Sequence, residues 1–379
     1  MLDYETLRII WWIFIGVLLI GFSIMDGQDM GVGTLLPFLG KTDTERRCMI
    51  NAVAPHWDGN QVWLLTGGGA IFAAWPLMYA TAFSGFYWAM LLVLLTLILR
   101  PVGFDFRSKV ASTRWRSTWD FCLFLGSSVP PLIFGVAFGN LLRGVPFHFD
   151  ATLRPIYTGS FFALLNPFAL LCGVVSLGMF IFHGANYLVL RTDGELQQRA
   201  RRVSRACGLI TALLFVAVSL WGWFGIDGFR IVSDIATDTP SNPLDKHVVT
   251  ESGAWLRNFI TCPLLWLIPA LGLLVTLAGA WLGGQGKGAV AIICSSLTML
   301  CFVLLPLVAM FPFVMPSSST PNAGLTLWDC TSSQLTLFIM LIVTVILLPL
   351  VLIYTTWAYK VMAGKITPAY IKANDKQLY

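Results

Sequence analysis

The sequence predicts an all-α, polytopic membrane protein. Of its 379 residues, 57% are hydrophobic and only 11% are charged, and the mean hydropathy is +0.76. Soluble domains carry about 25% charged residues, so this composition excludes an ordinary soluble protein. The net charge of +5 does not indicate nucleic-acid binding, because the basic residues cluster between apolar stretches.

Eight stretches free of Asp, Glu, Lys and Arg mark the predicted spans. A helix needs about 20 residues to cross about 30 Å of hydrocarbon. The stretches are 9–25, 59–99, 121–142, 155–190, 206–226, 258–286, 288–328 and 330–359. The first should continue to Leu39, the second should hold two spans that turn near Trp75 and Pro76, and 288–328 should hold one span and then a loop. We therefore expect nine transmembrane helices in a single integral membrane domain, 1–379.

The distribution of Lys and Arg predicts the orientation of these helices. With the N-terminus outside, about three of every four of the 24 basic residues fall in segments facing the cytoplasm, as the positive-inside rule requires. The N-terminus has acids and no cleavage site, so it is interpreted as a retained first span. The outer-side loop 227–257 is turn-rich and could form a small cap. The cytoplasmic tail 360–379 should hold a short helix that starts at Thr367 and Pro368.

Acidic residues interrupt the apolar pattern at one predicted membrane edge. The first helix carries Asp26 and Asp29 within "SIMDGQDMGVG", the second helix starts with "APHWDGNQVW", and the third ends with "LRPVGFDF". The topology brings six side chains of these segments to a similar depth. They are Asp26, Asp29, His56, Asp58, Arg100 and Asp105. A charge at the bilayer centre costs about 2.5–3.5 kcal/mol on insertion scales, so a cluster of this kind indicates a function.

Two interpretations of this acid cluster stay open. Asp26 and Asp29 are three residues apart and share a helix face, and three glycines in the same segment would allow another backbone to approach. Arg100 could pair with one acid and leave another to exchange protons, which would make the cluster a proton entrance from the cytoplasm. Alternatively, the acids are solvated at the interface and Arg100 only ends a span.

The second helix places polar and aromatic residues together. His56, Asn60 and Trp63 share one face, and Trp57 and Gln61 share the next. This pattern could form a polar track with aromatic gating. It is equally typical of helix–helix hydrogen bonds by Asn60 and Gln61 combined with an interfacial tryptophan belt.

No metal site is predicted. Axial haem ligation needs a His or Met inside a bundle, and His56 and His183 are the candidates, but neither has a partner at ligand spacing. The eight cysteines form no Cys-x-x-Cys pair and mostly fall inside spans, where a thiol acts as a small apolar group. Cys262 and Cys330 lie near one face and could pair.

Several long blocks resemble subunit II of the cytochrome bd ubiquinol oxidase family, in the form found in enteric and related proteobacteria. They include "DYETLRIIWW", "ERRCMINAVAPHWDGNQVW", "LRPVGFDFRSK" and "MFPFVMPSS", and the resemblance runs from end to end. It implies a terminal oxidase of the bacterial inner membrane that takes electrons from quinol and reduces O2 to water without a proton pump. It also implies two four-helix bundles plus one peripheral helix.

The same resemblance implies partners and cofactors. A larger subunit I would hold two haems b and one haem d, and this chain would ligate none of them but could hold a quinone as a structural filler. Small single-span accessory subunits and lipids would complete the assembly.

Roles for individual residues also follow from the resemblance. Asp58, Trp57 and Asp105 match positions at the proton intake. Asp29 and Arg100 match positions tied to stability or haem-site integrity. Trp63 matches the start of an oxygen route. Gln28 departs from the family, which usually has Phe there, and this puts the local packing of that helix in question.

Two alternative functions remain. A secondary transporter also carries acids in glycine-interrupted helices, but it should have corresponding broken segments in both halves, and only the first half shows one clearly. A purely structural assembly subunit would use the acids for interface packing alone.

Overall fold

The chain folds into a bundle of long helices. The computed structural model describes residues 2–374 and 378–379. Its helices are α1 (Tyr4–Leu39), α2 (Asp43–Val53), α3 (Trp57–Ala74), α4 (Pro76–Gly85), α5 (Tyr87–Leu97), α6 (Leu99–Phe106), α7 (Thr113–Arg143), α8 (Pro167–Arg191), α9 (Gly194–Phe224), α10 (Arg257–Thr261), α11 (Leu267–Gly284), α12 (Gly288–Met310), α13 (Gln334–Val361) and α14 (Pro368–Ala373). Three two-stranded hairpins pair β1 (Phe147–Phe149) with β2 (Pro155–Tyr157), β3 (Asp227–Ile231) with β4 (Val248–Ser252), and β5 (Phe313–Met315) with β6 (Leu325–Thr326).

Eight helical segments of the described residues are long and apolar enough to cross a membrane, and the count becomes nine if α3 and α4 form one span. The prediction that the first span continues to Leu39 is confirmed, because α1 runs unbroken through its acidic segment. Its 36 residues extend about 54 Å at about 1.5 Å each, which exceeds the hydrocarbon thickness. Asp3 caps its start by accepting the Thr6 N–H at 2.8 Å.

The second apolar stretch breaks where predicted but continues differently. Trp75 has φ −126° and ψ 62°, so α3 ends there, and Pro76 starts α4. The residue before a proline is pushed out of helical geometry. We expected the next span to start at this turn, but α4 is a separate ten-residue helix bent 118° from α3, and the next span begins at Tyr87.

Burial within the bundle distinguishes the centre from the periphery. The apolar window of α8 is 61% buried, whereas that of α13 is 6% buried. α8 packs against α1, α7, α9 and α12, and α13 contacts α1 and α3. α13 therefore lies at the edge of this chain.

The loop 227–257 packs against one end of the bundle. The β3–β4 hairpin forms within it, and Arg8 of α1 donates from Nη1 to the Thr237 carbonyl at 2.6 Å. Lys246 Nζ lies 2.7 Å from Asp329 Oδ2, and both side chains are buried. These contacts form the small cap that the sequence suggested.

The tail contains the short helix predicted from Thr367. The Thr367 hydroxyl caps α14 by accepting the Tyr370 N–H at 3.1 Å, and Ile371 is buried against the bundle. Cys262 is exposed and Cys330 is buried, and both are free thiols, so the pairing considered for them is not made.

Candidate functional site: a buried acid cluster

The carboxylate of Asp26 is paired with the guanidinium of Arg100 between α1 and α6. Arg100 Nη1 donates to Asp26 Oδ2 at 3.0 Å, and Nη2 donates to Oδ1 at 2.6 Å. Neither side chain is exposed in this chain. A bidentate pair of this kind fixes the geometry of both groups, so Arg100 is committed to Asp26.

Asp29 lies one turn further along α1 and is held differently. Its Oδ2 accepts a hydrogen bond from Asn60 Nδ2 on α3 at 2.8 Å. Its Oδ1 is buried and has no hydrogen-bond partner among the residues that the structure describes. Of the two acids on α1, Asp29 is thus the one that has no bidentate bond to Arg100.

Glycines allow the helices around this cluster to approach closely. A Cβ atom on Gly31 would lie 2.1 Å from the Phe180 carbonyl oxygen, and one on Gly184 would lie 2.4 Å from the Gly31 carbonyl carbon. A Cβ atom on Gly33 would lie 2.0 Å from Ser127 Oγ. The predicted approach of another backbone is therefore present at Gly31, against α8, while Gly33 packs on the Ser127 side chain of α7.

A hydrogen-bonded network connects the start of α3 to α13. His56 precedes α3, its Nε2 lies 3.2 Å from the Tyr187 hydroxyl, and its ring stacks on Tyr359 with centroids 4.5 Å apart. The Tyr359 hydroxyl donates to Asn60 Oδ1 at 2.8 Å and accepts from Gln28 Nε2 at 2.5 Å. Asn60 therefore hydrogen-bonds to two other helices, α1 and α13.

The other two predicted acids lie at an exposed edge. Asp58 and Asp105 are exposed, while Trp57 is half-buried and stacks on Phe104 with centroids 5.4 Å apart. Burial raises the pKa of the Tyr379 phenol, and the charges of Asp105 and Asp58 raise it further. Both carboxylates therefore lie near the Tyr379 ring. The six side chains predicted at one depth divide into a buried group and this exposed pair.

An apolar cavity of about 360 Å³ lies beside Trp63. Its lining is almost entirely apolar and comes mainly from α1, α3, α4, α7, α8, α9 and α12, including Phe134, Phe180 and Phe302. The Trp63 ring lies against Gly21, where a Cβ atom would approach it to 2.4 Å. Gln61, the other polar residue predicted on α3, is half-buried.

Of the two candidate histidines for axial haem ligation, His183 has both ring nitrogens paired, whereas Nδ1 of His56 is buried without a hydrogen-bond partner among the described residues. His183 is buried, its Nδ1 lies 2.8 Å from Ser295 Oγ, and its Nε2 lies 3.0 Å from the Ile24 carbonyl. Both ring nitrogens are therefore committed to protein groups. His56 uses Nε2 for Tyr187 and one ring face for Tyr359. Within residues 2–374 and 378–379, no group of three His, Cys, Asp or Glu side chains could hold a metal ion.

Sequence reasoning missed a second ion cluster at the start of α2. Arg107 Nε donates to Asp120 Oδ1 at 2.5 Å and Arg46 Nη1 donates to Asp120 Oδ2 at 2.7 Å, while Arg107 Nη2 donates to Asp43 Oδ1 at 3.0 Å. In the sequence, these basic residues indicate only the topology. Their pairing joins α2 to α7 beside the exposed edge.

The fold and the site define a polytopic helical membrane protein that buries an ion pair and a further acid among its helices, an arrangement that marks paths for ions or protons. A profile described as "Cytochrome bd terminal oxidase subunit II" matches residues 7–362. The chain belongs to this family.

Similar proteins cover the chain from end to end. "Cytochrome bd-I ubiquinol oxidase subunit 2" of Escherichia coli K12 is 58% identical over 379 residues, 100% of both chains. "Cytochrome bd ubiquinol oxidase subunit 2" of Bacillus subtilis is 34% identical, over 96% of this chain and 97% of its own. A chain of the bd oxidase structure from Geobacillus thermodenitrificans has a TM-score of 0.65 at 15% identity, over 94% and 98% of the two chains, and supports the fold.

Proposed function

We propose that the chain is subunit II of a cytochrome bd-type quinol:O2 oxidoreductase, a terminal respiratory oxidase. The observation that carries this proposal is the full-length identity of 58% to a relative named as subunit 2 of a ubiquinol oxidase. The chain acts as part of an enzyme complex and holds no complete active site itself.

Its partner is a larger subunit I, which holds two haems b and one haem d. These haems supply electron transfer from quinol and the reduction of O2. The commitment of both His183 nitrogens to Ser295 and Ile24 supports a role for this chain outside iron ligation. Small single-span subunits and lipids complete the assembly in the bacterial inner membrane.

The topology that we propose has nine spans, with α3 and α4 counted as one, and places the N-terminus outside and the C-terminus inside. The bias of Lys and Arg towards the segments assigned to the cytoplasm supports this orientation. The low burial of α13 supports its assignment as the peripheral helix beside two four-helix bundles.

The acid cluster takes up protons from the cytoplasm. Asp58 and Asp105 collect them at the exposed edge beside Trp57, and His56 and the buried acids lie further in. Asp29 is the inner acceptor, because one of its oxygens has no partner among the described residues. Asp26 holds Arg100, whose charge stabilises an anion at Asp29. Charge separation follows when quinol protons leave outside, and each charge moved stores about 2.3 kcal/mol per 100 mV.

The cavity beside Trp63 holds a quinone as a structural filler. Its volume of about 360 Å³ and apolar lining suit a prenylated ring. Because Trp63 lines the same space, the entrance of an oxygen route lies next to this cavity.

Two alternatives are weaker. A secondary transporter should break a helix in each half, and among the described residues only the α3–α4 pair is bent in this way. A purely structural subunit would use the acids for packing alone, whereas Asp58 and Asp105 are exposed and so are not packed into the buried group.

The test is Asp58→Asn in the complex with subunit I, beside the exposed control Glu195→Gln on α9. We expect full haem content with slowed O2 consumption in Asp58→Asn and normal turnover in the control. Loss of haem would support the structural role instead, and unchanged haem and turnover would sink the proton-uptake proposal.

A further inference from the structure

A chain of three hydrogen bonds runs from the peripheral helix α13 to the buried acid of α1. Gln28 Nε2 donates to the Tyr359 hydroxyl at 2.5 Å, the hydroxyl donates to Asn60 Oδ1 at 2.8 Å, and Asn60 Nδ2 donates to Asp29 Oδ2 at 2.8 Å. Gln28 and Asp29 are consecutive residues, so this series of hydrogen bonds leaves α1 and returns to it through α13 and α3.

Tyr359 points inward near the C-terminal end of α13, whose other side chains are mostly exposed or half-buried. Its neighbours on α13, Tyr354 and Trp357, are 54% and 66% exposed, whereas Tyr359 is half-buried. The ring of Tyr359 stacks parallel on His56, with 5° between the planes. This stacking fixes the ring, so its hydroxyl is presented to Asn60 in one position.

When Asp29 is ionised, the three hydrogen bonds can be donated in only one consistent direction. A carboxylate only accepts hydrogen bonds, so Asn60 must offer its NH2 group to Asp29 and its carbonyl oxygen to Tyr359. Tyr359 then donates its single proton to Asn60, and Gln28 must supply the NH2 group. The anion at Asp29 therefore determines the orientation of the Asn60 amide, and the Asn60 amide determines that of the Gln28 amide through Tyr359.

The same chain has a second consistent direction when Asp29 is protonated. Asp29 can then donate to the Asn60 carbonyl, Asn60 presents its NH2 group to Tyr359, and Tyr359 donates to the Gln28 carbonyl. Both directions keep all three hydrogen bonds, because amides and a hydroxyl can each donate and accept. Asp26 and Arg100 are the charged groups that face Asp29, and the titratable groups around Tyr359 are Asp29, Tyr187 and the stacked His56.

We propose that Tyr359 is a positioning residue for proton exchange at Asp29, because it orients the Asn60 amide. Gln28 then allows all three hydrogen bonds to reverse direction when Asp29 gains a proton. Asn60 then donates to Asp29 when the carboxyl is ionised and accepts from it when the carboxyl is protonated. The role of Tyr359 in turnover rests on the proposed function, but its effect on the Asp29 carboxyl does not.

The test is Tyr359→Phe in the assembled complex with subunit I, with Tyr354→Phe as the control from the exposed face of α13. Redox-induced infrared difference spectra report the carboxyl stretching band of Asp29, identified as the band that Asp29→Asn removes. We expect this band to shift in Tyr359→Phe and to be unchanged in Tyr354→Phe. Turnover should fall about two- to tenfold, the equilibrium factor of one hydrogen bond, with haem content retained.

A second variant keeps the proposal testable if Tyr359→Phe loses haem. Gln28→Met keeps a similar shape but cannot donate a hydrogen bond to the hydroxyl, and we expect it to shift the same band. An Asp29 band unmoved in either haem-retaining variant would overturn the proposal. If both variants lost haem, Tyr359 would be a structural residue only, and the proposal would also fail. Slow turnover in Asp58→Asn combined with an Asp29 band that Tyr359→Phe leaves unmoved would overturn this inference alone.

Discussion

Removal of the Asp26 charge tests whether the ion pair is as buried as its geometry indicates. Asp26→Asn leaves Arg100 with its charge and removes one bidentate partner, while both side chains have no exposed surface. Breaking a buried pair from one side costs about 3–5 kcal/mol, because the remaining charge is uncompensated. That is a large fraction of the about 5–15 kcal/mol that stabilises a typical fold.

The double variant Asp26→Leu with Arg100→Met separates charge from packing. Replacing a buried pair with apolar residues is often neutral or stabilising, so we expect this variant to be closer to the unmodified chain than either single change. The exposed pair Arg230–Glu251, with side chains 36% and 40% exposed, provides the control. Arg230→Met should cost less than about 1 kcal/mol.

The assay is unfolding of the assembled complex in mixed detergent micelles, followed by helical circular dichroism, with haem content recorded in parallel. A loss in Asp26→Asn of no more than that of Arg230→Met would refute the reasoning. It would mean that water, the partner subunit or the neighbouring Asp29 compensates Arg100.

Three further outcomes are expected. Gly31→Ala should cost at least about 3 kcal/mol in the same assay, since its Cβ atom would meet the Phe180 carbonyl, whereas Gly67→Ala, whose Cβ atom meets Leu18 at 3.9 Å, should be tolerated. Lys246→Met should destabilise the complex at neutral pH, and the variant should regain stability in acid. Burial raises the pKa of Asp329 and Lys246 opposes this rise, so without Lys246 the folded state binds a proton that the unfolded state does not, and stability is lost as the pH rises. A series of thermal shifts across pH measures this, and equal losses at all pH values would contradict it. Gly222→Phe should fill the cavity and remove co-purifying quinone without loss of haem, as measured by solvent extraction and chromatography, and retained quinone would disprove the assignment of the cavity.

The long spans could be predicted because charge-free length is a property of contiguous sequence. The continuity of α1 through Asp26 and Asp29 followed from this, since Leu39 is where the apolar pattern ends. The start of α4 at Pro76 was visible as a break, but its 118° bend depends on packing that no local signal records.

Other features were missed for different physical reasons. α2 carries a visible signal, because Thr42 and Glu45 form a capping box, but a short polar helix does not register in a search for spans. Tyr359 gives no such signal: its partner Gln28 is 331 residues away, and a tyrosine at the end of an apolar helix is typical of an interfacial belt. Only the folded arrangement brings the two together.

The most direct test of the central claim is the spectrum of the complex that contains this chain. The chain would be tagged, extracted gently from membranes with its bound partners, and examined as a reduced-minus-oxidised visible difference spectrum. The account predicts a red chlorin band beside b-type haem bands in the purified complex. An intact extract whose spectrum shows no haem would contradict the oxidase assignment and favour the transporter.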